Sequence, residues 1–437
     1  MSGVWEWVRG VAKGASKDET LVSLLLPVLF AAQTFQDTID QAHAFELSVV
    51  EIVAVFCLLI WILAKKRLEF PKSRSARFVL FLLGLWALVG LGLWVISGDW
   101  AYNLNEVRWL WIMLGAAIFV SYAAESGWER ATKIFVGITL LSALVADFQG
   151  WTAAFMPPFA SLPPKDFFLA PTRFGARSLA VGFYQHPNVF GAQVFWPLLI
   201  CLGLAFKRKY RWLGILGAVF FGASLYLSYY RTMLVGFVFA AVLLGMVLLR
   251  VRPWIFAVAT GVMSAVGMVV SVALGFLVNV GPFLGDVSGR AEYWVDALHF
   301  IKAQPVILLF GSGFQPSAAL MQAQARSDPH DVYLYMLMHY GIIGLVLLIV
   351  LIAIIVAVGW SAYRSGRLKQ EPVLGAIWVG FIAWFVTGTV DSRLTTAEWQ
   401  VLFVTVVFLF LGGLFSQAKQ GKVSASDQRM ARIPDNV

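Results

Sequence analysis

The side chains of this sequence best suited to chemistry are arginines and histidines at the ends of predicted helices. Arg290 follows Ser288, which can cap a helix whose apolar positions Ala291, Trp294, Val295, Leu298 and Ile301 recur at helical spacing until Gln304-Pro305 ends it. A cation in that first turn opposes the helix dipole by about 0.3–1 kcal/mol, and a bound anion would reverse the penalty. The plainer alternative is a solvated arginine whose placement is tolerated because the dipole is screened. In Ser327-Asp328-Pro329-His330-Asp331, Asp328 is a good N-cap, Pro329 suits the first helical position and Asp331 falls at the third. His330 then lies in a first turn, where the dipole favours a neutral ring able to accept a proton while Asp331 pulls the other way. A polar interfacial histidine is the competing reading, and it suffices for His299 and His339.

Arg231, in LSYYRTMLVG, stands between two closely joined apolar runs, and Arg173 and Arg177, in PTRFGARSLA, precede GFYQHPNVFG. An arginine near a membrane interface can simply snorkel, and Asn188 can serve only as the N-cap of the run that follows it. Glu51 and Asp147 are the main acidic residues inside apolar runs, where such groups are costly and usually face a cavity. Other familiar machinery is missing. The sequence has no phosphate-cradling Gly-rich loop with Lys-Ser/Thr, no His-Glu-x-x-His and no Cys-x-x-Cys, which argues against an ATPase or a zinc hydrolase.

The elements that must position these residues are set by composition. Hydrophobic residues make up 60% of the 437 and charged residues only 13%, against about 45–50% and 25% in soluble domains. That balance points to an all-α integral membrane protein with one domain, 1–415. Apolar runs centre on residues 21–36, 46–64, 78–97, 109–124, 134–155, 189–206, 212–229, 232–249, 254–276, 332–360, 374–390 and 399–416. Open sheet edges go unsatisfied in lipid, so these runs read as about twelve transmembrane helices, of which 21–36 is short and the 212–249 pair is tightly joined. With the N-terminus cytoplasmic, the inner segments hold 24 of the 33 lysines and arginines, as the positive-inside rule requires. Topology therefore accounts for the +9 net charge, which is no argument for nucleic acid. Two outer loops remain, about 157–187 and a large one at 277–330 that contains short helices, and the polar segment 416–437 reads as a disordered cytoplasmic tail. Cys57 and Cys201 sit inside apolar runs and are too few for a zinc site or a disulfide framework.

The ordered set of LSYYRTMLVG, the SGRxxxW segment at 288–294, the P-x-x-x-x-x-G-x-G at 305–313 and His330 before YLYMLMHYGIIGL resembles the O-antigen ligase and polymerase superfamily of bacterial envelope glycosyltransferases. The resemblance spans about residues 180–350, and it departs from the family where His-Asn is often found and this chain has His330-Asp331. It implies transfer of a glycan from undecaprenyl diphosphate to a sugar hydroxyl at the periplasmic face of the bacterial inner membrane, with no cofactor. In that scheme Arg231, Arg290 and, less centrally, Arg177 bind the diphosphate, and His330 orients or deprotonates the acceptor hydroxyl. Arg173, Asn188 and Asp331 complete the substrate-binding set. Arginine charge can stand in for a divalent ion at the diphosphate, so no metal is expected. The implied partners are the lipid-linked donor, a glycan or lipid A-core acceptor and membrane lipids, with a chain-length regulator or flippase alongside.

A secondary transporter or lipid-linked glycan flippase is the alternative from another class. It predicts ionisable groups near the bilayer midplane and broken helices in matching halves, whereas the span centres here are nearly free of charge. Within the enzyme reading, ligase and polymerase need the same arginine and histidine equipment.

Overall fold

The computed structural model describes residues 25–31, 49–65, 70–97, 104–155, 169–172, 175–178, 187–228, 230–276, 290–303, 305–311, 331–390 and 397–430. In chain order these form α1 (25–31), α2 (Val49–Lys65), α3 (Arg74–Ser97), α4 (Leu104–Phe155), a two-stranded ribbon of β1 (Leu169–Thr172) and β2 (Gly175–Ser178), and α5 (Pro187–Ala205). There follow α6 (Arg211–Leu227), α7 (Arg231–Leu248), α8 (Pro253–Phe276), α9 (Arg290–Ala303), α10 (Pro305–Phe310), α11 (Val332–Arg364), α12 (Arg367–Gln370), α13 (Pro372–Thr387) and α14 (Ala397–Met430).

Each apolar run read from the sequence contains helix. Among the described residues six helices are long and apolar enough to cross a membrane: Arg74–Val95, Leu110–Asp147, Asn188–Ala205, Arg208–Leu227, Val332–Arg364 and Trp399–Lys419. Four shorter apolar helices, Ile52–Leu63, Thr232–Leu248, Pro253–Val266 and Pro372–Thr387, accompany them. Two of the predicted runs, 109–124 and 134–155, are joined in α4 with a break at Gly127, whose φ of −168° is extended backbone open to any residue. The fold is helical but not purely so, because β1 and β2 pair antiparallel with Ala170 opposite Arg177 and Thr172 opposite Gly175. Helix α14 also departs from expectation. It continues past Ser416 to Met430, where the sequence reads as a disordered tail; Gln417-Ala-Lys-Gln are adequate helix formers that simply extend the preceding span.

Helix α13 is the post around which the bundle is built. Its apolar residues are buried on every side, as expected of a helix hydrophobic all round. It packs against α5, α7, α11 and α14, with Trp384 stacked on Phe403 at 5.5 Å between centroids and Trp196 tilted against Phe381 at 4.9 Å. Lipid tails are as apolar as these rings, so the gain is close packing rather than escape from water, and small residues let helices approach. At Gly412, for example, an added Cβ would fall 2.6 Å from the Ala124 side chain, which fixes how closely α14 lies on α4.

The connections gather at two ends. At one end the backbone N–H groups of Lys72 and Ser73 donate to Glu125 at 2.6 and 2.8 Å, Lys207 pairs with Glu371, the Tyr363 hydroxyl donates to the Val251 carbonyl, and the Arg250 guanidinium lies against Gly366. At the other, α5 meets the α6–α7 turn, and the end of α13 meets the start of α11.

Candidate functional site

The second of these ends holds the starts of α7 and α11, which carry Arg231 and Asp331. Helix α6 ends at Leu227, and its last turn passes almost directly into α7. The Ser228 N–H donates to the Ser224 carbonyl at 3.0 Å, the Ser228 hydroxyl donates to the Leu225 carbonyl at 2.7 Å, and the Tyr230 N–H donates back to that hydroxyl at 3.3 Å. Tyr230 is then the N-cap residue, its carbonyl accepting from Met233 and Leu234 at 3.1 Å, and Arg231 opens α7. The Tyr230 side chain does not itself cap the helix.

Helix α5 forms the wall beside this turn. An added Cβ at Gly191 would lie 2.8 Å from both the Ser228 hydroxyl and the Tyr230 side chain, so only glycine lets the two segments meet. Asn188 sits about one turn earlier in α5 and is half-buried. It occupies the second helical position rather than the N-cap, since α5 begins at Pro187.

The other wall is the junction of α13 with α11. An added Cβ at Gly388 would lie 3.0 Å from the Val332 side chain, and the Tyr333 hydroxyl donates to the Phe385 carbonyl at 3.0 Å. Gly236, in the second turn of α7, faces Thr387 of the same junction, where a Cβ would rest 3.5 Å from the threonine. The helix starts bearing Arg231 and Asp331 are therefore tied to one another through the end of α13.

Helix α11 starts later than its sequence suggests. Its N-cap is Asp331, with extended backbone at φ −147° and a carboxylate that accepts from the N–H groups of Tyr333 at 2.8 Å and Leu334 at 2.9 Å. The cap predicted at Asp328 is thus replaced by one three positions on, because Asp331 satisfies two orphan donors at once. His330 and Arg173 lie outside the described residues. The capping carboxylate of Asp331 has a structural task in place, and its negative charge sits at the positive end of α11.

Arg290 is the first residue of α9, as the sequence indicates. The buried face of α9 differs from the predicted one: Trp294, Ala297 and Ile301 are buried, while Val295 and Leu298 are exposed. Ala297 and Ile301 pack on Met338, flanked by Leu334 and Leu337, which docks α9 on the first turns of α11. Helix α10 then crosses α11 through two glycines. Gly311 has φ +75° and Gly341, inside α11, has φ +64° with ψ −165°. A Cβ on either would fall inside contact distance of the other segment's backbone, at the His339 carbonyl and the Leu309 carbonyl respectively. Gly311 is the first glycine of the Gly-Ser-Gly noted in the sequence, and this crossing gives it a physical reason. Arg177 stands in β2, and that strand rests against α4.

Apolar helices whose turns, caps and polar groups collect at the ends of the bundle are the build of a membrane protein, here with the starts of α7 and α11 meeting at the end of α13. The family model described as O-antigen ligase (Wzy_C) matches residues 216–349, which supports the resemblance to the O-antigen ligase and polymerase superfamily over that segment. The matched segment runs from α6 to the middle of α11 and includes Arg231, Arg290, His330, Asp331 and both crossing glycines. Asn188, Arg173 and Arg177 precede it. No curated protein matches the chain.

Proposed function

We propose that this protein transfers a glycan from undecaprenyl diphosphate to a sugar hydroxyl at the periplasmic face of the bacterial inner membrane. The observation that carries the reading is the convergence of the starts of α7 and α11 at the end of α13, within the segment matched to O-antigen ligase. Arg231 and Arg290 bind the diphosphate, whose paired oxygens suit the planar fork of a guanidinium. Arg177, Arg173 and Asn188 hold the flanking sugar or phosphate. His330 orients or deprotonates the acceptor hydroxyl, a task suited to a base that titrates near neutral pH. Asp331 keeps the start of α11, and so the backbone next to His330, in place. The arginine charges neutralise the leaving diphosphate, so transfer needs no divalent metal.

The transporter reading is weaker by one further observation. Asp147 accepts a hydrogen bond from Ser224, which lies in the last turn of α6 next to the Arg231 turn, so this acid sits toward one end of the bundle rather than its middle.

Two experiments test the proposal. Reporter fusions at Lys209 and Arg367 should read cytoplasmic and those at Pro163 and Gln322 periplasmic; an inward report at Gln322 would remove the working face. Purified protein given lipid-linked donor and acceptor should transfer glycan undiminished in excess chelator. An absolute need for Mg²⁺ or Mn²⁺ would instead assign the diphosphate to a carboxylate-held ion.

A further inference from the structure

We infer that the bundle end to which α7 runs from Arg231 binds the phosphodiester headgroup of an anionic phospholipid, in a site separate from the one proposed for glycan transfer. Three connecting segments meet there. They read KRKYRW at 207–212, RVRPW at 250–254 and RSGRLKQE at 364–371, with nine lysines and arginines against the single carboxylate of Glu371. The positive-inside rule fixes the side on which such segments lie. It does not require that they be held against one another, where their charges repel. Lys207 pairs with Glu371 at the start of α13, and the Tyr363 hydroxyl donates to the Val251 carbonyl, which ties the end of α7 to that of α11.

The backbone at this end points to a ligand as well. Helix α7 closes with the Arg250 N–H donating to the Val247 carbonyl at 3.2 Å and the Val251 N–H to the Met246 carbonyl at 3.1 Å. That pattern usually ends on a left-handed glycine, and α11 does so at Gly366, with φ +76°. At the end of α7 the left-handed residue is Arg250, with φ +54°, the one non-glycine of positive φ among the described residues. Its guanidinium lies against Gly366, so Arg250 joins Arg364 and Arg367 at the turn that ends α11. The Arg367 Nε donates to the Ser365 hydroxyl at 3.1 Å, which leaves its terminal amino groups to an outside acceptor. Arginine kept where glycine fits the backbone, beside two others, suits a phosphate, whose oxygens a planar guanidinium meets in pairs. Depth assigns that phosphate to a lipid. Trp212 and Trp254, 75% and 62% exposed, stand in the first turns of α6 and α8 beside the same basic segments. Exposed tryptophans of this kind sit at the headgroup level, and basic clusters between helices at that level take anionic headgroups. On the topology proposed above, the lipid belongs to the cytoplasmic leaflet.

The test is thermal unfolding of the purified full-length protein in maltoside micelles that contain phosphatidylcholine, into which phosphatidylglycerol is titrated. The parent should gain several degrees from phosphatidylglycerol and none from further phosphatidylcholine. Arg250→Gly removes the guanidinium and suits the left-handed backbone, so it should melt no lower than the parent in phosphatidylcholine. It should nevertheless need about fivefold more phosphatidylglycerol for half the gain, the order expected for one basic residue at an anionic surface. Arg364→Gln/Arg367→Gln should raise that requirement by about tenfold or more, and it decides the matter should Arg250→Gly fail to fold. Arg77→Gln, which removes an exposed cation at the start of α3, is the control for charge alone and should change the requirement by less than about twofold. An equal gain from phosphatidylcholine, or variants that titrate as the parent does, would overturn the inference. An Arg77→Gln as impaired as Arg250→Gly would overturn it too, by reducing the effect to net charge. An equal gain from soluble glycerol 3-phosphate would make the ligand a free phosphate and not a lipid.

Discussion

His330→Ala is expected to lower glycan transfer by about 10²–10⁴-fold, the usual contribution of a general base, while binding of the lipid-linked donor survives. The contrast with Arg290 makes the prediction specific. Arg290→Ala should weaken donor binding as well as turnover, because its contact with the anion exists before reaction and strengthens as the leaving group gains charge. Arg290→Lys should stay strongly impaired, since lysine keeps the charge but loses the fork that meets two phosphate oxygens. Transfer rate and donor affinity, measured on variants whose expression and insertion match the parent, decide the matter. A well-inserted His330→Ala with near-normal transfer would take the histidine out of the mechanism. Donor binding lost in His330→Ala but kept in Arg290→Ala would reverse the two roles.

Gly341→Ala should be the most damaging substitution away from the reacting groups. The backbone at φ +64° and ψ −165° is one that side chains rarely adopt, at about 1–3 kcal/mol, and the new Cβ would press on the Leu309 carbonyl and the Gly311 N–H. Overpacking of that kind adds about 1–3 kcal/mol more. The variant should melt several degrees below the parent in detergent and lose most transfer, because α10 can no longer seat on α11. Gly245→Ala in α7 is the control: a Cβ there meets nothing within 4 Å. It should be neutral or stabilising by about 0.5–1 kcal/mol, the helix-interior difference between glycine and alanine. A Gly341→Ala as stable and active as Gly245→Ala would contradict the close crossing.

The helical parts of the fold were legible because hydropathy is a sum over a whole run, and each of the twelve runs contains helix. What escaped the sequence is decided by single backbone angles or by distant partners. The break in α11 depends on one positive φ at Gly341, which leaves no trace in a run as apolar as YGIIGLVLL. Glu125 receives the N–H groups of Lys72 and Ser73 from another segment, a pairing that no local pattern announces. At the site, Arg290 could be placed because Ser-Gly-Arg opens an amphipathic stretch. The start of α11 was misjudged by three residues because Asp328-Pro329 and Asp331 are both good caps, and only the two bonds made by Asp331 separate them. Ser224 was hidden in an apolar run, and its link to Asp147 bridges two helices far apart in sequence.

The break at Gly341 also sets a depth. Below it, Ile342–Arg364 is a helix of about 23 residues, roughly 35 Å long at 1.5 Å per residue, enough by itself to cross a hydrocarbon layer of about 30 Å. The segment above it, Val332–Tyr340, adds a further 13 Å or so that the crossing does not need. On the membrane reading, the crossing is complete without Val332–Tyr340, so the Asp331 cap belongs to a segment that α11 carries in addition to its span.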